Sequence, residues 1–106
     1  MASIMEREII NNVCVNDARE LLLMLEGGGK SMYQYVYRAA AGVYWDNESC
    51  GFKSTPIRDW SCAQWFSHIL SSVSSELGVE LVLGENVNWQ NVPEADVTKI
   101  VQQHAI

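Results

Sequence analysis

The sequence predicts an α+β domain, a small antiparallel sheet of one or two hairpins packed against about four helices. Three observations lead there. Ser3 and Glu6, Ser31 and Gln34, and Ser61 and Gln64 each have the spacing of a capping box ahead of apolar residues at helical intervals. Two pairs of short β-prone runs, 43–46 with 50–54 and 79–83 with 87–90, are joined by Asn47-Glu48-Ser49 and Gly84-Glu85-Asn86, which are turn residues. No repeat, low-complexity tract or linker divides the chain, so residues 1–106 read as a single compact domain.

Taken in order, Ser3 caps a helix whose stripe is Met5, Ile9, Ile10, Val13 and Cys14. Asp17, three residues before Glu20, starts a second helix bearing Ala18, Leu21, Leu22 and Leu25, with Gly27 as its stop. One bent helix over the same residues fits the pattern too. Tyr33, Tyr35 and Tyr37 alternate as a strand would, but Met32, Tyr35, Val36, Ala39, Ala40 and Val43 fill a helical face, so 31–41 reads as a helix ending at Gly42. A hairpin over 43–54 ends at Pro56. Asp59 or Ser61 then caps a helix whose broad apolar face is Cys62, Trp65, Phe66, Ile69, Leu70, Val73 and Leu77, closed by Gly78. A second hairpin follows over 79–90. Pro93 opens the last helix, with Glu94 and Asp96 near its positive end and His104 near its negative end, as the helix dipole favours.

Composition narrows the classes of function. With 48% hydrophobic residues the chain has enough apolar side chains for one core, which excludes disorder. Seven basic side chains against thirteen acidic ones give a net charge of −6, and no basic stripe exists to neutralise phosphates, so generic nucleic-acid binding is excluded. No apolar run approaches the roughly 18 residues of a membrane span. Glu6, Arg7 and Glu8 interrupt any secretory leader, so a cytoplasmic domain is expected. Cys14, Cys50 and Cys62 are an odd, unpaired set that suits free thiols in a reducing compartment, and Asn47-Glu48-Ser49 matches a glycosylation acceptor only formally.

The motifs that carry chemistry fail one by one. Gly27-Gly28-Gly29-Lys30-Ser31 ends like a phosphate-binding loop, but Met24 stands where that loop needs its first glycine and a helix is predicted where it needs a strand; the glycines read as a helix terminator. Cys50 and Cys62 lack the paired spacing of a zinc site. Cys62 and His68 fall about 240° apart around one helix, which leaves Cys50 with His68 as the remaining thiol and base pair. His104 continues the stripe of Val97, Ile100 and Val101 and reads as a packed histidine at a helix end. Nothing marks Glu76, Glu80, Glu85 or Glu94 as a desolvated acid. No catalytic residue, metal ligand or cofactor is therefore assigned, and no segment carries a family signature that can be matched residue by residue.

The distribution of aromatics and charge does stand out. Nine of the ten aromatic residues lie between Tyr33 and Phe66, and residues 31–70 are charge-balanced, whereas residues 1–30 carry −2 and residues 71–106 carry −4. Trp65 and Phe66 belong to the core by periodicity, and Tyr35 is expected there with them. Tyr33, Tyr37, Trp45 and Trp60 do not fit one buried face. With Arg38, Asp46 and Arg58 they form the candidate binding set, because Tyr, Trp and Arg combine large contact area with a polar handle. The leading expectation is an acidic interaction module that binds a protein partner, or a second copy of itself as a homodimer, through this surface or through its acidic ends. The alternative is an aromatic pocket for a small cationic or amphipathic ligand, with Asp46 orienting the cation. A Cys50-dependent enzyme comes third.

Overall fold

The computed structural model describes residues 6–38 and 42–104. The order is β1 (Glu6–Val15), β2 (Glu20–Leu25), a 3-10 segment (Ser31–Arg38), β3 (Val43–Asp46), β4 (Gly51–Pro56), α1 (Cys62–Leu77), β5 (Val79–Gln90) and α2 (Glu94–His104). The strands form one sheet in the order β3-β4-β2-β1-β5, with β1 parallel to β5 and every other pair antiparallel. The class is α+β, but the expected four helices and purely antiparallel sheet are wrong: the described residues hold two α-helices and a five-stranded mixed sheet.

The error begins at β1. Ile10 and Val13 are both in the core, three residues apart as on a helix, yet they belong to a strand. The register of β1 against β2 shifts between Ile10 and Asn12, so one extra residue resets the alternation and makes a strand resemble a helical stripe. In β2, Leu21, Leu23 and Leu25 face the core while Leu22 is buried on the other side; such a central strand is apolar all along its length and has no alternation to read. The Asp17–Glu20 spacing taken for a capping box is the turn between these strands. Asn16 Nδ2 donates to Glu20 Oε1 at 3.0 Å, Glu20 N donates to Asn16 Oδ1 at 2.9 Å, and Arg19 takes a left-handed φ of 63°. The predicted cap Ser3 lies outside the described residues.

The helix expected over 31–41 is a 3-10 segment over Ser31–Arg38, and Ala39, Ala40 and Ala41 lie outside the described residues. Its period of about three residues per turn buries Tyr33 and Val36 and leaves Met32 and Tyr35 exposed, which reverses the expectation for Tyr35. The second hairpin is one strand. Leu83 pairs with Ile10 and Asn88 with Asn12, so Gly84-Glu85-Asn86-Val87 bulges out of β5 where a reversal was expected. Both halves continue alongside β1, which supplies partners for each.

Other elements follow the sequence closely. The β3–β4 hairpin pairs Val43 with Ser54 and Asp46 with Gly51. The α1 capping box is complete: Gln64 N donates to Ser61 Oγ at 3.2 Å and Ser61 N donates to Gln64 Oε1 at 2.8 Å. Gly78 ends the helix in the left-handed conformation at φ 66°. Across the inner face of the sheet, Trp45, Phe52, Leu23, Val13 and Trp89 form one continuous rung. Phe66, Ile69 and Val73 of α1, Ile100 of α2 and Tyr33 and Val36 of the 3-10 segment join the same buried cluster. Ser54 is the buried polar side chain of the described core. Its Oγ accepts from Leu21 N at 2.9 Å and donates to the Thr55 carbonyl at 2.6 Å, satisfying the backbone where β2 and β4 slip register. No helix among the described residues is long and apolar enough to cross a membrane.

Candidate interaction site

The predicted binding residues separate into two places. Tyr33 is fully buried, and its hydroxyl donates to Glu8 Oε2 at 2.6 Å. It meets Trp45 edge-on at 5.4 Å, and both rings pack on Phe52, at 5.5 and 4.9 Å. Gly29, at φ 75°, lies so close that a Cβ there would sit 2.3 Å from the Trp45 ring. These aromatics fill the core at the edge of the sheet. Asp46 accepts from Glu48 N at 3.2 Å and Ser49 Oγ at 2.9 Å, which closes the β3–β4 turn. Tyr37 and Arg38 fall on the last turn of the 3-10 segment, and their side chains lie outside what the structure describes.

Arg58 and Trp60 stand elsewhere, on the segment that leads from β4 into α1. Trp60 immediately precedes the Ser61 cap, and Trp65 is the fourth helical residue, so the two rings occupy the positions of a hydrophobic staple. Their centroids are 4.9 Å apart. His68, one turn further on, meets Trp60 at 5.1 Å and Trp65 at 5.5 Å, both edge-on. Trp65 is sunk against Gly42, where a Cβ would come within 2.8 Å of its ring. Trp60 is thus held from below, yet 42% of its surface remains exposed.

The ring divides two open clefts. One of about 260 Å³ is lined by Pro56, Arg58, Asp59 and Trp65, and the other, of about 750 Å³, by Gln64, Ser67, Lys99 and Gln103. Each cleft carries a cation, Arg58 or Lys99, on a chain whose net charge is −6. His68 and Lys99 were not among the predicted site residues. The i, i+3 spacing of Trp65 and His68 was a usable signal for the first, but Lys99 comes from a different helix and had none.

The thiols offer less. Burial pushes the Cys14 and Cys62 thiols up, away from reactivity. Cys50 Sγ lies 3.7 Å from the Asn47 carbonyl oxygen within the hairpin turn, whereas His68 packs against Trp65 near Gly42, at the open end of the same hairpin. The hairpin holds this thiol and this imidazole apart. Among the described residues no cluster of three or more His, Cys, Asp or Glu could hold a metal ion.

The chain is a small α+β domain with a mixed five-stranded sheet and a half-exposed tryptophan, packed against Trp65, between two clefts. It belongs to the family described as Integron Cassette Protein Hfx_Cass5, which matches residues 11–89. It is similar to a solved structure titled "Structure from the mobile metagenome of North West Arm Sewage Outfall: Integron Cassette Protein Hfx_Cass5". The two are 31% identical, the match covers 96% of this chain and 99% of that one, and the TM-score is 0.43. Comparison with curated proteins gave no match.

Proposed function

We infer that this protein is an interaction module that seats a partner protein on the Trp60 corner. The observation that carries this reading is a tryptophan half-exposed on a base formed by the Trp65 and His68 rings, which meet it tilted and edge-on. A staple alone needs an apolar contact at this position, and a smaller aliphatic residue supplies that. An indole fixed in place before contact loses little side-chain freedom on binding, and Trp and Arg are the residue types over-represented among energetic anchors. Arg58 and Lys99 supply hydrogen-bond donors and positive charge on either side, so the contacting surface of the partner carries carboxylates around a pocket for the ring.

The test starts from a partner recovered with the wild-type domain and measured by calorimetry. Trp60→Leu keeps the staple and removes the indole; it is expected to weaken binding about 30-fold, the roughly 2 kcal/mol of an interface anchor. Unchanged affinity in a variant with a native circular dichroism spectrum overturns the reading. The small-ligand alternative rests on the same two clefts, with Asp59 beside the ring in the role expected of Asp46. Saturable quenching of tryptophan fluorescence by an aromatic amine, lost in Trp60→Leu, would favour it over the protein partner.

A further inference from the structure

A third cleft, of about 640 Å³, lies on the helix side of the sheet between the second half of β5 and α2. Its apolar walls are Leu83, Val87, Trp89 and Val101, and its polar side chains are Glu85 and Asn86. The volume is that of a small-molecule site. The bulge in β5 builds it. Residues 84–87 together stand against Asn11 alone on β1, and such an insertion bends a strand and re-aims its side chains. Gly84 pins the bulge, because a Cβ there would lie 3.0 Å from Ile9 Cγ2 and 3.2 Å from the Ile10 carbonyl oxygen. Trp89 pairs with Val13, so its ring lies on the core side and packs against the cluster to which Leu83 belongs. On the opposite wall Val101 is 41% exposed, while Ile100 beside it is fully buried. Ile100 already gives α2 its contact with the core, and Val101 adds apolar surface to the cleft.

Charge selects the class of ligand. Among the described residues that line the cleft, Glu85 alone is charged. Residues 71–106 carry −4, and Lys99, their only Lys or Arg, lines the cleft beside Trp60. Lys99 and Val101 are about 200° apart around α2, so that cation stands on the other flank of the helix. An anion would therefore meet Glu85 with no cation beside it. A metal ion would find one carboxylate among apolar walls, too few oxygen ligands to hold it. A neutral molecule gains nothing from the charge. An organic cation pairs with Glu85, can donate a second hydrogen bond to the amide oxygen of Asn86, and covers the apolar walls with its body.

We propose that the cleft between the β5 bulge and α2 binds a small organic monocation, a primary amine on an aromatic body, with the ammonium at Glu85 and the rings between Trp89 and Val101. The proposal is independent of the Trp60 reading, because the two sites lie on opposite flanks of α2. Calorimetry of the full chain with 1-naphthylmethylamine, and with the neutral 1-naphthylmethanol as its counterpart, tests it. The amine is expected to saturate one site at or below about 1 mM, as its dozen heavy atoms allow. Glu85 is exposed, so its charge is worth about fivefold: the alcohol should bind about fivefold more weakly than the amine. Glu85→Gln should bind both molecules alike, at the affinity of the alcohol. Val101→Trp fills the cleft from an exposed helix position and is expected to abolish binding with an unchanged circular dichroism spectrum. Trp60→Leu should bind the amine as wild type does. No saturable binding of the amine overturns the proposal, and so does equal binding of amine and alcohol by wild type. Binding that survives Val101→Trp overturns it too, and binding lost in Trp60→Leu places the amine at the other corner and does the same.

Discussion

At the scale of single residues, His104 links packing to pH. Its Nε2 lies 3.0 Å from Ser67 Oγ, and its ring packs on Phe66 at 5.0 Å. Burial holds its pKa below the ordinary histidine value of 6.5. The unfolded chain therefore takes up this proton first as the pH falls. The stabilising contribution is complete above about pH 6.5 and declines below it, until the folded state is protonated as well. In His104→Gln that part of the slope should vanish, so wild type loses its advantage over the variant as the pH falls through this window. Urea midpoints of the two proteins on either side of about pH 6.5 check this. Parallel curves would mean that the burial of this ring does not govern its titration.

At the scale of elements, the legible parts were those whose signal is complete within a few residues. The Ser61 box, the Gly78 stop and the β3–β4 turn needed no distant partner, and each stands where the sequence placed it. The strands β1 and β5 were misread because bulges break their alternation, and a bulge is settled by the neighbouring strand. The candidate site divides along the same line. Trp60 stands at a capped helix end that local spacing locates, whereas the burial of Tyr33 depends on Phe52 and on Glu8, which is 25 residues away. Gly51 tests how tightly the strands close. A Cβ there would lie 2.4 Å from the Leu23 carbonyl oxygen, so β4 cannot keep its distance from β2 with any larger residue. Gly51→Ala is expected to cost about 3 kcal/mol, at the upper end of ordinary overpacking, read as a lower urea midpoint with an unchanged m-value. A loss below ~0.5 kcal/mol would show that the hairpin shifts freely.

At the scale of the whole molecule, the parallel pairing of β1 with β5 unites the two segments that carry the charge. Residues 1–30 hold −2 and residues 71–106 hold −4, and folding lays one along the other. Arg7 with Glu80 offsets little of this, since both side chains are about half exposed or more and such a pair is worth at most about 1 kcal/mol. The aromatic middle, charge-balanced in sequence, forms the other half of the sheet and the start of α1, so the folded chain is more acidic towards its β1–β5 side. Folding therefore gathers like charge that the extended chain keeps apart, and screening should relieve the folded state more than the unfolded one. Sodium chloride, raised from low to physiological ionic strength at fixed protein concentration and neutral pH, is expected to increase the urea midpoint. Most of the gain should come early, as the Debye length shortens to about 8 Å. Glu85→Gln, which removes an exposed carboxylate from the β5 bulge, should raise the low-salt midpoint and reduce its response to salt. A midpoint that falls with salt would mean that attraction between opposite charges outweighs the repulsion of the two acidic segments.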